Sequence, residues 1–598
     1  MAEVKKIKLR QEIKAEDTWN VEAIYESNAD WEKDLENLKA VAASIKDFSG
    51  KLSDSKKLLE YFKESEIISR KAEKLFIYAH LRSDEDTANA EYQAMRDKID
   101  SYLPEIRSYE AFFVPEILSL PEAYIGEAIK QQPELEMYKF LLDDVLKMKP
   151  HTLSRAEEEL LASVSDCLDA PENIFGRLSN ADMTFPVIED EGGNKVELTE
   201  VNYMAFIKSK KREVRENAFK ALFGTYENYK NTFAATLTSS VKNFVFKSKT
   251  KKYQSSLESS LKPNNIPVEV YEKALETIDK NISVLHRYVS IKKKLLGLDE
   301  IHMYDLYVPI VEVESEHIEF EEAVNMAVKG IAPLGEEYLN IFQEGINSRW
   351  IDKYENKGKR GGAYSWGSYD TMPYVLLNYN YELSDVSTLV HEMGHSIHSY
   401  YSRKTQPYIY ADYTLFCAEV ASTTNEALLI NYLIDNEKDK NKKKYLINQQ
   451  LEQIRTTVFR QLMFAEFEKI THESIEAGNP LTAVNLCDIW HKLNKKYFGP
   501  EMIVDKEIDM EWARIPHFYS DFYVYQYATG YAAATSFAKS ILSLGDAGVD
   551  KYKGFLKSGG SDYPINILKN AGVDMTTSKP LEDTLARFSE LLDLLEEK

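Results

Sequence analysis

The amino-acid sequence predicts a mainly α fold, a multi-helix protein with one small β-sheet. Most of the first 180 residues place apolar and charged side chains at three- and four-residue spacing, as in "WEKDLENLKAVAASIKDF" and "SKKLLEYFKESEIISRKAEKLFIYAHLRSD", the pattern of amphipathic helices. Runs of β-prone residues are few and short. The stretch "KGKRGGAYSWGSYDTMPYVLLNYNYELSD", Lys357 to Asp385, is too rich in glycine and aromatic residues for a helix and reads as loop and strand.

Taken in order, helices fill the N-terminal part until "TFPVIEDEGGNKVELTE". There two β-prone runs, 185–188 and 195–198, flank an Asp-Glu-Gly-Gly-Asn turn, and Thr199 restarts a helix. At 598 residues the chain is too long for a single core, so sub-domains are expected. A boundary near residue 200 separates an N-terminal helical domain, 1–200, ending in a β-hairpin, from a second domain, 201–598. Helices continue to about 345, interrupted by a loop at "LKPNNIPVEV" and by loop and one short strand around "IHMYDLYVPIVEV". From Val386 helices resume, with loops at 404–411, 477–481, 498–509 and through "KSGGSDYPINILKNAGVD".

Composition narrows the function. The 74 Lys and Arg against 97 Asp and Glu give a net charge of -23, which repels nucleic acid and anionic lipid. No apolar run reaches the roughly 18 residues of a membrane span. Three widely spaced cysteines, Cys167, Cys417 and Cys487, make no disulfide framework, and "MAEVKKIKLRQEIKAEDTW" lacks the apolar centre of a signal peptide, so a cytoplasmic protein is expected.

The stretch "STLVHEMGHSIHSYYS" carries the chemistry. On a helix, Val386, Leu389, Val390, Met393 and Ile397 share one apolar arc, while His391, His395 and His398 fall on the opposite side with Glu392 at its margin; Ser384 or Asp385 is placed to cap the start. One helical turn brings two imidazoles together around a tetrahedral Zn²⁺, and the glutamate after the first is within reach of a water as general base. His398 is not expected to be a ligand, because a third side chain on one straight helix completes a tetrahedron poorly.

A third ligand is expected from the next helix, "DYTLFCAEVASTTNEALLINYLI". Glu419 lies 24 residues after His395 in an apolar context, which predicts a buried carboxylate in need of a cation, and Glu426 shares its stripe. The expected site is His391, His395 and Glu419 around one Zn²⁺ per chain, with Glu426 hydrogen-bonded to a ligand histidine.

The order of "HEMGHSIH", "AEVASTTNEALL", "GGAYSWGSYDTMPYVLLNY", "ARIPHFYSDFYVYQYATGYAAA" and "FLKSGGSDYPINILKNAGVDM" resembles the oligoendopeptidase F family, within the thimet-oligopeptidase-like zinc peptidases, over essentially the whole chain. The resemblance implies an ellipsoidal helical peptidase with a deep internal channel, zinc ligands His391, His395 and Glu419, Glu392 as the base, His398 as a non-ligand, and short unstructured peptides as substrates.

In "HFYSDFYVYQYATGYAAATSF", His517 and five tyrosines crowd into fifteen residues, and such donors stabilise an oxyanion. The resemblance places transition-state donors here, His517 and Tyr525 first and Tyr519 next; Tyr523, Tyr527 and Tyr531 form a separate stripe suited to packing. The Gly-Gly that would precede a tyrosine after the histidine in longer relatives is missing. Gly362, Ala363 and Tyr364 suit a strand edge that binds an extended peptide through its main chain, the alternative being a connecting loop. Arg514 is a candidate anchor for a substrate carboxylate. It belongs to an alternative, a zinc carboxypeptidase; a scaffold without catalysis would have no use for Glu392. A monomer or weak homo-oligomer is expected.

Overall fold

Side-chain periodicity is realised as helices almost throughout the computed structural model, which describes residues 6–311, 313 and 316–597. Glu312, inside the stretch expected to hold a short strand, and the first five residues of the N-terminal stretch lie outside the described residues. Among the described residues no helix is long and apolar enough to cross a membrane.

The chain packs as two compact units, the first made of 1–150, 315–432 and 537–572, the second of 151–314, 433–536 and 573–598. In the first, the helices Asn28–Ala42, Ser55–Glu85 and Ala90–Glu110 bury Trp31, Leu35, Leu75, Met95 and Ile99 in one core. Their starts are fixed locally: Ser27, Asp54 and Asn89 each accept hydrogen bonds from the first-turn amides. Tyr374 and Leu376 join the same core from a three-stranded sheet.

Among the described residues, seven short strands form three sheets. β1 (Val187–Glu189) and β2 (Lys195–Glu197) make the expected hairpin, with Ile188 opposite Val196. Thr199 caps the following helix, Glu200–Ile207, by accepting from Asn202 N–H. β3 (Ile301–His302) lies parallel to β7 (Met502–Ile503). β4 (Ile351–Asp352) pairs parallel with β6 (Tyr374–Leu376), and β5 (Tyr364–Trp366) pairs antiparallel with β6, which leaves β5 at the sheet edge.

Three expectations need correction. "PINILKN" is a helix, Pro564–Asn570, because a proline at the first position suits a helix start and Ile565 and Leu568 are buried. The 498–509 loop contains β7 and opens a 3-10 helix, Lys506–Arg514. The histidine helix, Leu383–Thr405, is capped at Glu382 instead of Ser384 or Asp385; Asp385 serves from inside the first turn, its carboxylate accepting the N–H of Glu382 at 2.9 Å.

Candidate active site

The apolar arc of the histidine helix packs as its periodicity dictates: Val386, Leu389, Val390, Met393 and Ile397 have no exposed surface. The helix Leu415–Asn436 packs beside it. Gly394 allows this approach, since a Cβ at that position would stand 2.7 Å from Ser422 Cα. Asn425, fully buried, ties the pair by donating to Val390 O at 3.2 Å and accepting from Tyr338 Oη at 2.9 Å. Neither Gly394 nor Asn425 stands out in the sequence, because a close backbone approach and an interhelical bond are properties of two helices together.

This packing brings three donor atoms into a triangle. His391 Nε2 and His395 Nε2 are 3.2 Å apart, and Glu419 Oε2 stands 3.4 Å from the first and 3.5 Å from the second. Ligand atoms on a tetrahedral Zn²⁺ at about 2.0–2.1 Å are separated by about 3.3 Å, so the three are spaced like corners of one tetrahedron. Among the described residues these three form the one group so arranged. On the far side of His391, Nδ1 lies 3.2 Å from Glu426 Oε1, a contact that holds the proton on Nδ1 and leaves Nε2 facing the other donors.

Glu419 is not the buried acid that its apolar neighbours suggested. Its side chain is 50% exposed while Phe416, Cys417 and Val420 turn inward, so the apolar context belongs to the other faces of the helix. Hydrogen bonds to His391 and His395 hold its carboxyl well below the usual carboxylate range. Burial alone would lower the His391 pKa, yet the bonds to Glu419 and Glu426 outweigh it and lift the imidazole to about 10. Two imidazoles and a carboxylate whose donor atoms converge within 3.5 Å of one another are a donor set suited to a dication. Glu392 is buried, and this burial raises its carboxyl pKa against the opposing pull of His391 and His395.

His398 does not sit on an open polar face with the other histidines. It is 1% exposed, stacked on Tyr413 at 3.7 Å between ring centres and packed on Phe555, and burial lowers its pKa to about 3. It is a neutral core ring, away from the donor triangle. The sheet expected near the site is present: Ser365 Oγ in β5 meets Ser396 Oγ of the histidine helix at 2.8 Å. Beside it, Gly362 adopts φ +85°, and its carbonyl accepts from Asn378 Nδ2 at 2.8 Å. Ala363 is half-buried, and the Tyr364 hydroxyl is held by Asp84 at 2.7 Å.

The remaining candidates lie in the second unit. His517 lines a cavity of about 390 Å³ together with Arg455, Arg460, Glu511 and Arg514. Burial lowers the His517 pKa, and Tyr527 Oη is 3.4 Å from Nε2. Tyr523 stacks near the same ring and meets Tyr527 edge-on. Tyr525 is buried against Tyr271 at 5.1 Å between rings. The hydroxyl of Tyr519 bonds to Thr236 at 2.7 Å and its ring stacks on Phe175. Arg514 is held by Glu200 at 2.5 Å, over the face of Tyr203.

A description of peptidase family M3 matches residues 205–587, and one of oligopeptidase F matches 116–185. The chain belongs to peptidase family M3. Oligopeptidase PepF of Bacillus subtilis is 48% identical over 100% of this chain and 90% of its own. Group B oligopeptidase PepB of Streptococcus agalactiae is 40% identical over 98% of each. The crystal structure of oligoendopeptidase-F from Enterococcus faecium superposes with a TM-score of 0.73 at 38% identity, covering 94% of this chain and 98% of that one. M3 peptidases are metallopeptidases, and His391, His395 and Glu419 form a cluster that could hold a metal ion.

Proposed function

We propose that the chain is a zinc-dependent endopeptidase that cuts internal bonds of short unstructured peptides. The observation that carries this reading is the triangle of His391 Nε2, His395 Nε2 and Glu419 Oε2, spaced for one Zn²⁺, with Glu392 next to the first ligand. When bound, the metal supplies Lewis acidity, polarising a carbonyl and making a water a better acid. Glu392 takes a proton from the attacking water as its oxygen bonds to the scissile carbon, and later gives that proton to the leaving nitrogen as the C–N bond breaks. A carboxyl with a raised pKa suits both halves of this transfer. His517 and Tyr525 are assigned as donors to the oxyanion on the family resemblance, with Tyr519 third. The β5 edge and the Gly362, Ala363, Tyr364 stretch are assigned to the substrate main chain.

The rival carboxypeptidase reading needs a cation for a terminal carboxylate, and Arg514 is already neutralised by Glu200. The two family matches meet between 185 and 205, which supports a division of function near residue 200, although packing groups the chain differently. A cytoplasmic location and a monomer or weak oligomer complete the reading.

Peptides blocked at both ends, incubated with the purified protein, test it. They are expected to be cut, with cleavage stopped by a chelator and restored by zinc. Glu392→Gln is expected to keep one zinc per chain and to lose about 10²–10⁴ in turnover. Cleavage confined to peptides with a free C-terminus refutes the endopeptidase reading; unchanged turnover in Glu392→Gln refutes the role given to that residue.

A further inference from the structure

Between the 3-10 turn Pro516–Tyr519 and the helix starting at Tyr525, the chain makes an irregular bend at whose centre Phe522 adopts φ +59°. An L-residue with a bulky side chain is disfavoured there and stays only where its surroundings fix it. Two contacts do so. The ring is buried against His472 at 4.4 Å, Tyr271 at 5.7 Å and Phe244 at 6.4 Å. The backbone N–H donates to Glu468 Oε1 at 3.0 Å.

Glu468 itself is unusual. It is 1% exposed in the middle of the helix Arg460–Glu476, and among the described residues it faces no cation and its Oε2 meets no partner. Burial and the nearby Asp521 push its pKa well up, which favours the uncharged form. His472, one turn later, donates from Nδ1 to the carbonyl of Glu468 at 2.8 Å and turns Nε2 toward Asp521 Oδ1 at 3.5 Å. Ser260 Oγ holds the Asp521 carbonyl at 3.1 Å. Other groups facing the bend are Tyr271, whose hydroxyl is satisfied by Ala465 O, and Lys247, whose charge reaches Asp521. A carboxyl buried at such a cost to its ionised form, and bonded to a backbone amide, points to a backbone-holding role.

We propose that Glu468 is a positioning residue for peptide hydrolysis: by holding Phe522 in its left-handed conformation it sets where His517 and Tyr525 stand at the two ends of the bend. This rests on the assignment of those two residues as oxyanion donors. Tyr271, which touches both Phe522 and Tyr525, transmits the placement through its ring. Glu468 touches no reacting atom in this scheme, and the bond it makes requires an acceptor but no charge.

The test compares Glu468→Gln, which keeps an uncharged acceptor, with Glu468→Leu, which removes it, in zinc-loaded enzyme acting on an end-blocked peptide. Glu468→Gln is expected to stay within about threefold of the parent kcat with an unaltered pH profile. Glu468→Leu is expected to lose tenfold or more in kcat, with KM and zinc content little changed, the range that one misplaced oxyanion donor produces. Should Glu468→Leu not fold, Glu468→Asp, which retracts the carboxyl from the amide, takes its place with the same expectation. Combining the damaging variant with Tyr525→Phe discriminates further: the losses are expected to overlap, whereas full additivity marks a merely structural effect and overturns the proposal. A parent-like kcat in Glu468→Leu overturns it as well. If His517→Ala and Tyr525→Phe leave kcat unaltered, the donor assignment fails, a result distinct from a silent Glu468 beside damaging donor variants.

Discussion

His391, His395 and Glu419 stand on two regular helices, and their spacing follows from 3.6 residues per turn and one close helix contact. His517 and Tyr525, by contrast, flank a bend that no regular element spans, held by a left-handed phenylalanine and a buried carboxyl. The first arrangement can be laid on a helical wheel. The second depends on contacts between residues more than fifty positions apart, such as Phe522 with Glu468. Periodicity thus encodes the His391, His395, Glu419 triangle locally, while the His517–Tyr525 segment takes its form from tertiary packing.

The sharpest way to break this contrast is to remove a ligand. Glu419→Ala is expected to lose zinc and essentially all peptidase activity, measured by metal analysis and hydrolysis, while its helix still forms because the glutamate is half-exposed. Next in size, Tyr525→Phe is expected to keep zinc and lose about 10²-fold in kcat, the effect of one missing oxyanion donor. Smaller still, Gly394→Ala forces the two helices apart against Ser422 and is expected to cost about 1–3 kcal/mol in thermal or chemical denaturation, with weaker zinc binding. That result ties the ligand spacing to the helix contact.

The smallest effect is a pH dependence at a carboxyl outside both the donor triangle and the bend. Burial and Asp412 push the Glu73 carboxyl up to about 7 against the pull of Arg403. An unfolded glutamate titrates at about 4.3, so the folded chain holds an extra proton between the two values. Its contribution is complete below about 4.3 and is lost as pH rises through about 7. Glu73→Gln is therefore expected to stabilise the chain by about 1–2 kcal/mol more at pH 8 than at pH 5 in denaturant titrations; an equal effect at both pH values contradicts the shift.

The helical class, the β1–β2 hairpin, the inward arc of the histidine helix and the meeting of His391, His395 and Glu419 were legible because each follows from spacing along one or two elements. The burial of His398 was not: on a wheel it sits with its companions, whereas in the fold Tyr413 and Phe555, brought over by other elements, pack against it. Glu419 misled in the opposite direction, since apolar neighbours in sequence occupy different faces of the helix in space. The pairing of Arg514 with Glu200 joins residues over three hundred positions apart, and nothing local announces it.

The contact through Gly394 has a thermodynamic corollary. His391 and Glu419 are only 28 residues apart, so an ion held between their helices closes a short loop whose entropy loss is modest. An ion that favours the closed hairpin over the open chain raises the melting temperature in proportion to the logarithm of its free concentration. Zinc availability would then govern how long the protein survives as well as how fast it works.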